Sequence, residues 1–121
     1  MAKQIYIVED DEDIRFIVGY ILSDMGYEIN LSETIADFKA QLNNNGQPGL
    51  ILLDVMLPDG NGLELCLQLK NDPATSRIPI IIMSAHAAED DVLKMACAED
   101  FISKPFDLDH LAATVKKYLP I

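Results

Sequence analysis

Short apolar runs alternate with helical stripes along the whole chain, and few folds accommodate that alternation. IYIV (5–8) reads as a strand, and Ile14, Ile17, Val18, Ile21, Leu22 and Met25 follow it at helical spacing. Gly26 stands where a glycine commonly ends a helix. A weaker strand lies near Tyr27 to Leu31. Ser32 or Glu33 then leads into a helix with Ile35, Phe38 and Leu42 inward, and NNNGQPG (43–49) is turn chemistry. LILLD (50–54) is a third strand, so apolar that it must be buried on both faces. Leu63, Cys66, Leu67 and Leu69 mark a third helix, which NDPATSRIP (71–79) closes. IPIIIMS (78–84) is a fourth strand, and a weakly amphipathic helix is expected around residues 88–96. FIS (101–103) is a short fifth strand, and Leu108, Leu111, Ala112, Val115 and Leu119 stripe a last helix. Five strands alternating with five helices predict an α/β fold, a doubly wound parallel sheet covered on both faces with right-handed crossovers.

A chain of 121 residues that is 50% hydrophobic is expected to form one ordered domain over residues 1–121. No apolar run approaches the roughly 18 residues of a membrane span. The start, MAKQIYIVEDD, lacks a signal-peptide pattern, so no membrane association and a cytoplasmic location are expected. Cys66 and Cys97 have no metal-ligand spacing and read as reduced core thiols. A formal charge of −11 argues against nucleic acid as a direct partner and suits a cation or a partner with a basic face.

Ligands of such sheets bind at the carboxyl ends of the strands, where the strand order switches. Each notable polar residue falls at such an end: Glu9 and Asp10 after the first strand, Asp54 after the third, Ser84 after the fourth and Lys104 after the fifth. One crevice is thus expected to hold them all. Carboxylates gathered there repel each other unless a cation is present. Mg²⁺ fits best, being hard and content with one or two carboxylates, waters and a phosphate oxygen. Asp11, Glu12 and Asp13 read instead as acids of a helix's first turn. Asp54 is a loop cap, a metal ligand or a nucleophile. An aspartate forms an acyl phosphate when the incoming group is well neutralised, and Lys104 and the Ser84 hydroxyl supply suitable partners.

VEDD, LLDVMLPDGNG, IPIIIMSA and FISKPF, in that order, resemble the receiver domain of bacterial two-component response regulators over nearly the whole chain. The strand order 2-1-3-4-5 and a flavodoxin-like architecture come with the resemblance. It also implies that Asp54 is the phosphoacceptor. Asp10 is then a direct Mg²⁺ ligand, Glu9 acts through water, and Asp54 and the Met56 backbone carbonyl complete the protein's share. Ser84 would follow the phosphoryl group, Phe101 would be the aromatic switch position, and the Lys104–Pro105 bond would be cis. Met56 and His86 would border the path of the hydrolytic water and tune dephosphorylation. The implied partners are a sensor histidine kinase or phosphotransfer protein and a downstream target protein or missing output domain. The implied state is a monomer or a weak phosphorylation-dependent dimer. The domain would be a signalling switch that catalyses only its own phosphorylation and dephosphorylation, read out on the face of the helix at 88–96, the fifth strand and the last helix. Cys97-Ala98 replaces the family's usual Gly-Ala, so the loop there is expected to be built differently.

Competing functions fit less well. A flavodoxin-like cofactor binder needs a Gly/Ser/Thr-rich phosphate loop where this chain has EDDED. An aspartyl phosphatase needs a second acid two residues after Asp54, and Met56 stands there. Because Thr114 takes a place where winged-helix regulators carry Arg, that subclass is mildly disfavoured, and with no output domain before Ile121 the chain reads as a stand-alone regulator or a fragment.

Overall fold

A computed structural model describes residues 3–85 and 97–121. Five parallel strands make one sheet: β1 Gln4–Val8, β2 Glu28–Ser32, β3 Leu50–Asp54, β4 Ile80–Ala85 and β5 Asp100–Lys104. Their spatial order is β2-β1-β3-β4-β5, as the resemblance implied. The helices among the described residues are α1 Glu12–Asp24, α2 Ile35–Asn45, α3 Gly62–Asn71 and α4 Leu108–Tyr118. The helix expected around residues 88–96 lies outside the described residues.

Local chemistry sets the helix ends. Asp11 caps α1 by accepting from the Ile14 N–H at 3.0 Å, with Glu12 and Asp13 in the first turn. These acids play the helix-terminal part expected of them. At the other end the Gly26 N–H donates to the Ser23 carbonyl at 3.0 Å and the Tyr27 N–H to the Leu22 carbonyl at 3.2 Å. That pair of bonds requires a left-handed residue, and Gly26 supplies it with φ of 104°.

Alternation along the strands feeds two apolar layers. Tyr6, Val8, Ile51, Leu53, Ile80 and Ile82 pack with Phe38 of α2 and with α3 on one face. Ile5, Ile7, Leu50, Leu52, Ile81 and Met83 pack with Val18 and Leu22 of α1 and Leu111 and Val115 of α4 on the other. Every residue of β3 is buried. Two positions of the sequence stripes depart from this. Ile17 is exposed, because Val18 and Leu22 carry the inward face of α1. Leu67 is also exposed, because the buried arc of α3 runs through Leu63, Leu65, Cys66 and Leu69. Cys66 and Cys97 are buried free thiols of one core layer. Burial first and the neighbouring Cys97 second push the Cys66 thiol up, which keeps it unreactive.

After β3 the chain makes a feature that periodicity did not foretell. Met56–Leu57 pairs antiparallel with Gly60–Asn61 in a two-residue ribbon, and the Gly62 N–H then donates to the Val55 carbonyl at 2.7 Å. A Cβ on Gly62 would lie 2.0 Å from the Asp54 carbonyl oxygen, so only glycine lets the chain return this closely to the end of β3. The order of the sheet reverses between β1 and β3, which opens the crevice at their carboxyl ends.

Candidate functional site

Glu9 directly follows β1, Asp54 ends β3 and Lys104 ends β5. Glu9 is completely buried and Asp54 nearly so, at 6% exposure. Lys104 reaches across the crevice. Its Nζ donates to the two Glu9 carboxyl oxygens at 2.8 and 3.0 Å and to Asp54 Oδ2 at 3.2 Å. Asp10 is exposed beside them, and carboxylate oxygens of Glu9, Asp10 and Asp54 lie within 4.8 Å of one another. Among the described residues this is the one such cluster of metal-ligating side chains. An all-oxygen donor set open to water on the Asp10 side fits Mg²⁺.

One ammonium serves two buried carboxyls. Burial pushes the Glu9 carboxyl up, Asp54 adds to the rise and Lys104 opposes it, leaving Glu9 at about 8. Burial pulls Lys104 down, but its bonds to Glu9 and its attraction to Glu9 and Asp54 outweigh that and leave it raised. In the metal-free crevice Glu9 therefore holds its proton to higher pH than an ordinary carboxyl, and Lys104 keeps its positive charge.

The other expected residues sit around this centre. The Met56 N–H donates to Asp54 Oδ1 at 3.4 Å, while the Met56 side chain stands 79% exposed. Ser84 is buried near the end of β4, one residue after Met83, which pairs in register with Asp54. Phe101 is partly buried against the core layer of Phe38 and Leu65, not in the crevice. The Lys104–Pro105 bond is cis. His86 lies outside the described residues.

Two side chains at the rim escaped the sequence reading. Arg15 Nη1 donates to the carbonyls of Glu9 and Asp10 at 2.9 and 3.3 Å, and its Nη2 pairs with Glu33 at 3.3 Å. Asp59, at the ribbon's turn, accepts from the N–H groups of Ile35 and Ala36 at 2.9 and 3.0 Å. Both bonds to α2 pull the Asp59 carboxyl below the usual range. Arg15 looks like any polar residue of a helix stripe and Asp59 like ordinary turn chemistry. Their partners lie too far along the chain to leave a local signal.

The response regulator receiver domain model matches residues 5–116. The chain belongs to the response regulator receiver domain family. The phosphate regulon transcriptional regulatory protein PhoB of Escherichia coli K12 is 36% identical over 120 residues, covering 96% of this chain and 51% of PhoB. The receiver thus spans about half the length of that relative. The signal receiver domain of a signal transduction histidine kinase from Syntrophus aciditrophicus is 32% identical, with a TM-score of 0.86 over 98% of this chain and 90% of that one. The BeF3-activated DrrB receiver domain is also 32% identical, with a TM-score of 0.84 over the full length of both chains. Receivers of this family are phosphorylation-dependent signalling switches, and that is the functional class of this domain. No helix among the described residues is long and apolar enough to cross a membrane.

The charge imbalance in the receiver has a consequence for stability. Glu9 holds its proton to about 8 when folded, against 4.5 as its ordinary value. The folded state therefore binds more protons across that window, and the metal-free protein loses stability as pH rises through it, by at most about 1.4 kcal/mol per pH unit. In Glu9→Gln the group no longer titrates, so urea midpoints measured without divalent cations should decline less between those pH values. An equally steep decline in the variant would assign the effect to another group.

Proposed function

We propose that this receiver accepts a phosphoryl group on Asp54 from a sensor histidine kinase or phosphotransfer protein, and catalyses both its own phosphorylation and its dephosphorylation. The observation that carries the reading is the shared ammonium: Lys104 already touches Asp54 while Glu9 and Asp10 stand within metal-ligand reach. An Asp54 carboxylate oxygen forms the new bond to phosphorus as the bond to the donor's nitrogen or oxygen breaks, the leaving group taking the electron pair. Lys104 moves from the carboxylate to a phosphoryl oxygen, and the Ser84 hydroxyl donates to another. Asp10, Asp54 and the Met56 carbonyl would hold Mg²⁺, with Glu9 acting through water. When bound, the ion supplies the hard positive charge that neutralises the phosphoryl oxygens.

Ser84 and Phe101 link the modified site to a face that includes β5 and α4. Phe101 lacks a hydroxyl, so its contribution is packing alone. The phosphoryl group biases two pre-existing arrangements of that face by its differential interaction with them. PhoB is described as a transcriptional regulatory protein, and DNA contact is assigned here to an output domain or a downstream target, not to this acidic receiver. The domain is placed in the cytoplasm, as a monomer or a weak dimer formed on phosphorylation.

Met56 and His86 set the lifetime of the phosphoryl form. Water must approach in line with the bond it breaks, and the exposed Met56 thioether cannot orient it. Met56→Asn should lose phosphate faster than the parent at saturating Mg²⁺, measured by phosphate release. An unchanged rate would remove Met56 from the role and leave His86. Asp54→Asn should retain the fold and take up no phosphoryl group from acetyl phosphate, as read by intact mass. Stoichiometric labelling of the variant would refute the assignment.

A further inference from the structure

We propose that the β2–α2 junction, residues 33–36, positions both loops that carry the acidic site, with Asp59 and Arg15 as the positioning residues. This rests on the reading that Mg²⁺ binds among Glu9, Asp10 and Asp54. The first few N–H groups of a helix lack partners within it. In α2 the Asp37 N–H is met locally by the Thr34 hydroxyl at 3.0 Å, which is the helix's own cap. The Ile35 and Ala36 N–H groups are instead met by Asp59, more than twenty residues further along the chain. A carboxylate so placed does more than end a helix. It fastens the turn of the ribbon that begins at Met56.

The ribbon leaves little slack between that anchor and the site. Met56 pairs with Asn61 and Leu57 with Gly60, so the position of Asp59 is transmitted through two residue pairs to Met56. The Met56 N–H bonds Asp54, and the Asn61 side chain accepts from the Leu63 N–H at 2.7 Å to start α3. Gly60 also packs on the junction, where an added Cβ would come within 2.8 Å of Ile35 Cδ1.

The acidic loop is fastened to the same place from the other side. Arg15 holds the Glu9 and Asp10 carbonyls with one nitrogen and Glu33 with the other. The Glu9 N–H donates to the Ser32 carbonyl at 3.0 Å. The Arg15 side chain is only 13% exposed, and its bond to the Glu9 carbonyl is the sheltered one, whereas Glu33 is 65% exposed. The two metal-bearing loops are thus related through residues 33–36 as well as through the sheet. Outer contacts that orient ligands in this way commonly contribute about tenfold or more to metal affinity.

Calorimetric titration with Mg²⁺ alone, on the full chain, separates positioning from simple helix capping. Asp59→Ala should weaken Mg²⁺ binding about tenfold, and Asp59→Asn, which keeps one acceptor oxygen, should weaken it less. Arg15→Met should also weaken it. Thr34→Ala removes the cap of the same helix but no tether, and should leave Mg²⁺ affinity unchanged while lowering the melting midpoint. Phosphoryl uptake by Asp59→Ala should reach the parent's level only at correspondingly higher Mg²⁺. Parental Mg²⁺ affinity in folded Asp59→Ala, or equal losses in Asp59→Ala and Thr34→Ala, would overturn the proposal with the phosphoacceptor reading intact. A parent chain that binds no Mg²⁺ would overturn both.

Discussion

Lys104 faces two buried carboxyls with a single positive charge, and much of the molecule is arranged to hold that imbalance in place. Glu9, Asp54 and Lys104 come from three strands and would not remain together without the sheet. A carboxyl taken fully out of water is costly unless it is paired or protonated. Glu9 shows both effects: Lys104 pairs with it, and burial beside Asp54 raises its affinity for a proton. The apolar layers on the two faces of the sheet supply the stability against which this strain is held. On the proposed reading, a site so placed is costly on its own and would be relieved once further positive charge arrives with a phosphoryl group.

That arrangement also explains why the response can travel. Lys104 ends β5, and Phe101 lies three residues earlier on the same strand, packed into the α2–α3 side of the core. β5 pairs along its length with β4, with Ser84 opposite Ser103 and Ala85 opposite Lys104. The proposed shift of Lys104 from Asp54 to a phosphoryl oxygen would therefore act on an edge strand held by one neighbour only. Edge strands have one set of ladder bonds to lose, whereas β3 at the centre of the sheet is buried at every position and paired on both sides. In the proposed switch, the rigid centre would present the nucleophile and the edge would carry the movement.

Much of this was legible in the sequence because it follows from periodicity. The strands fell close to their expected bounds, and placing Glu9, Asp54 and Lys104 at strand ends was enough to bring them into one crevice. The acids of the first turn of α1 were recognisable because Asp11 precedes a helical stripe at capping distance. What the sequence hid was of three kinds. Leu65 and Leu67 lie about 200° apart around α3, and only the placement of the helix on the sheet decides which of the two is covered. Arg15 and Asp59 make their bonds to Glu33, Ile35 and Ala36, contacts that form only after β1, β2 and β3 are side by side. The ribbon at Met56 was hidden for a third reason: two-residue strands are too short to show any period.

The account turns on the claim that the gathered carboxyls await a divalent cation, and the Mg²⁺ dependence of thermal stability tests it most directly. The parent should show a melting midpoint that rises with Mg²⁺ and saturates, because binding to the folded state alone stabilises it by mass action. Asp10→Ala should lose most of that rise, and its metal-free midpoint should equal or exceed the parent's as one repelling charge is removed. A parent midpoint that ignores millimolar Mg²⁺ would contradict the account.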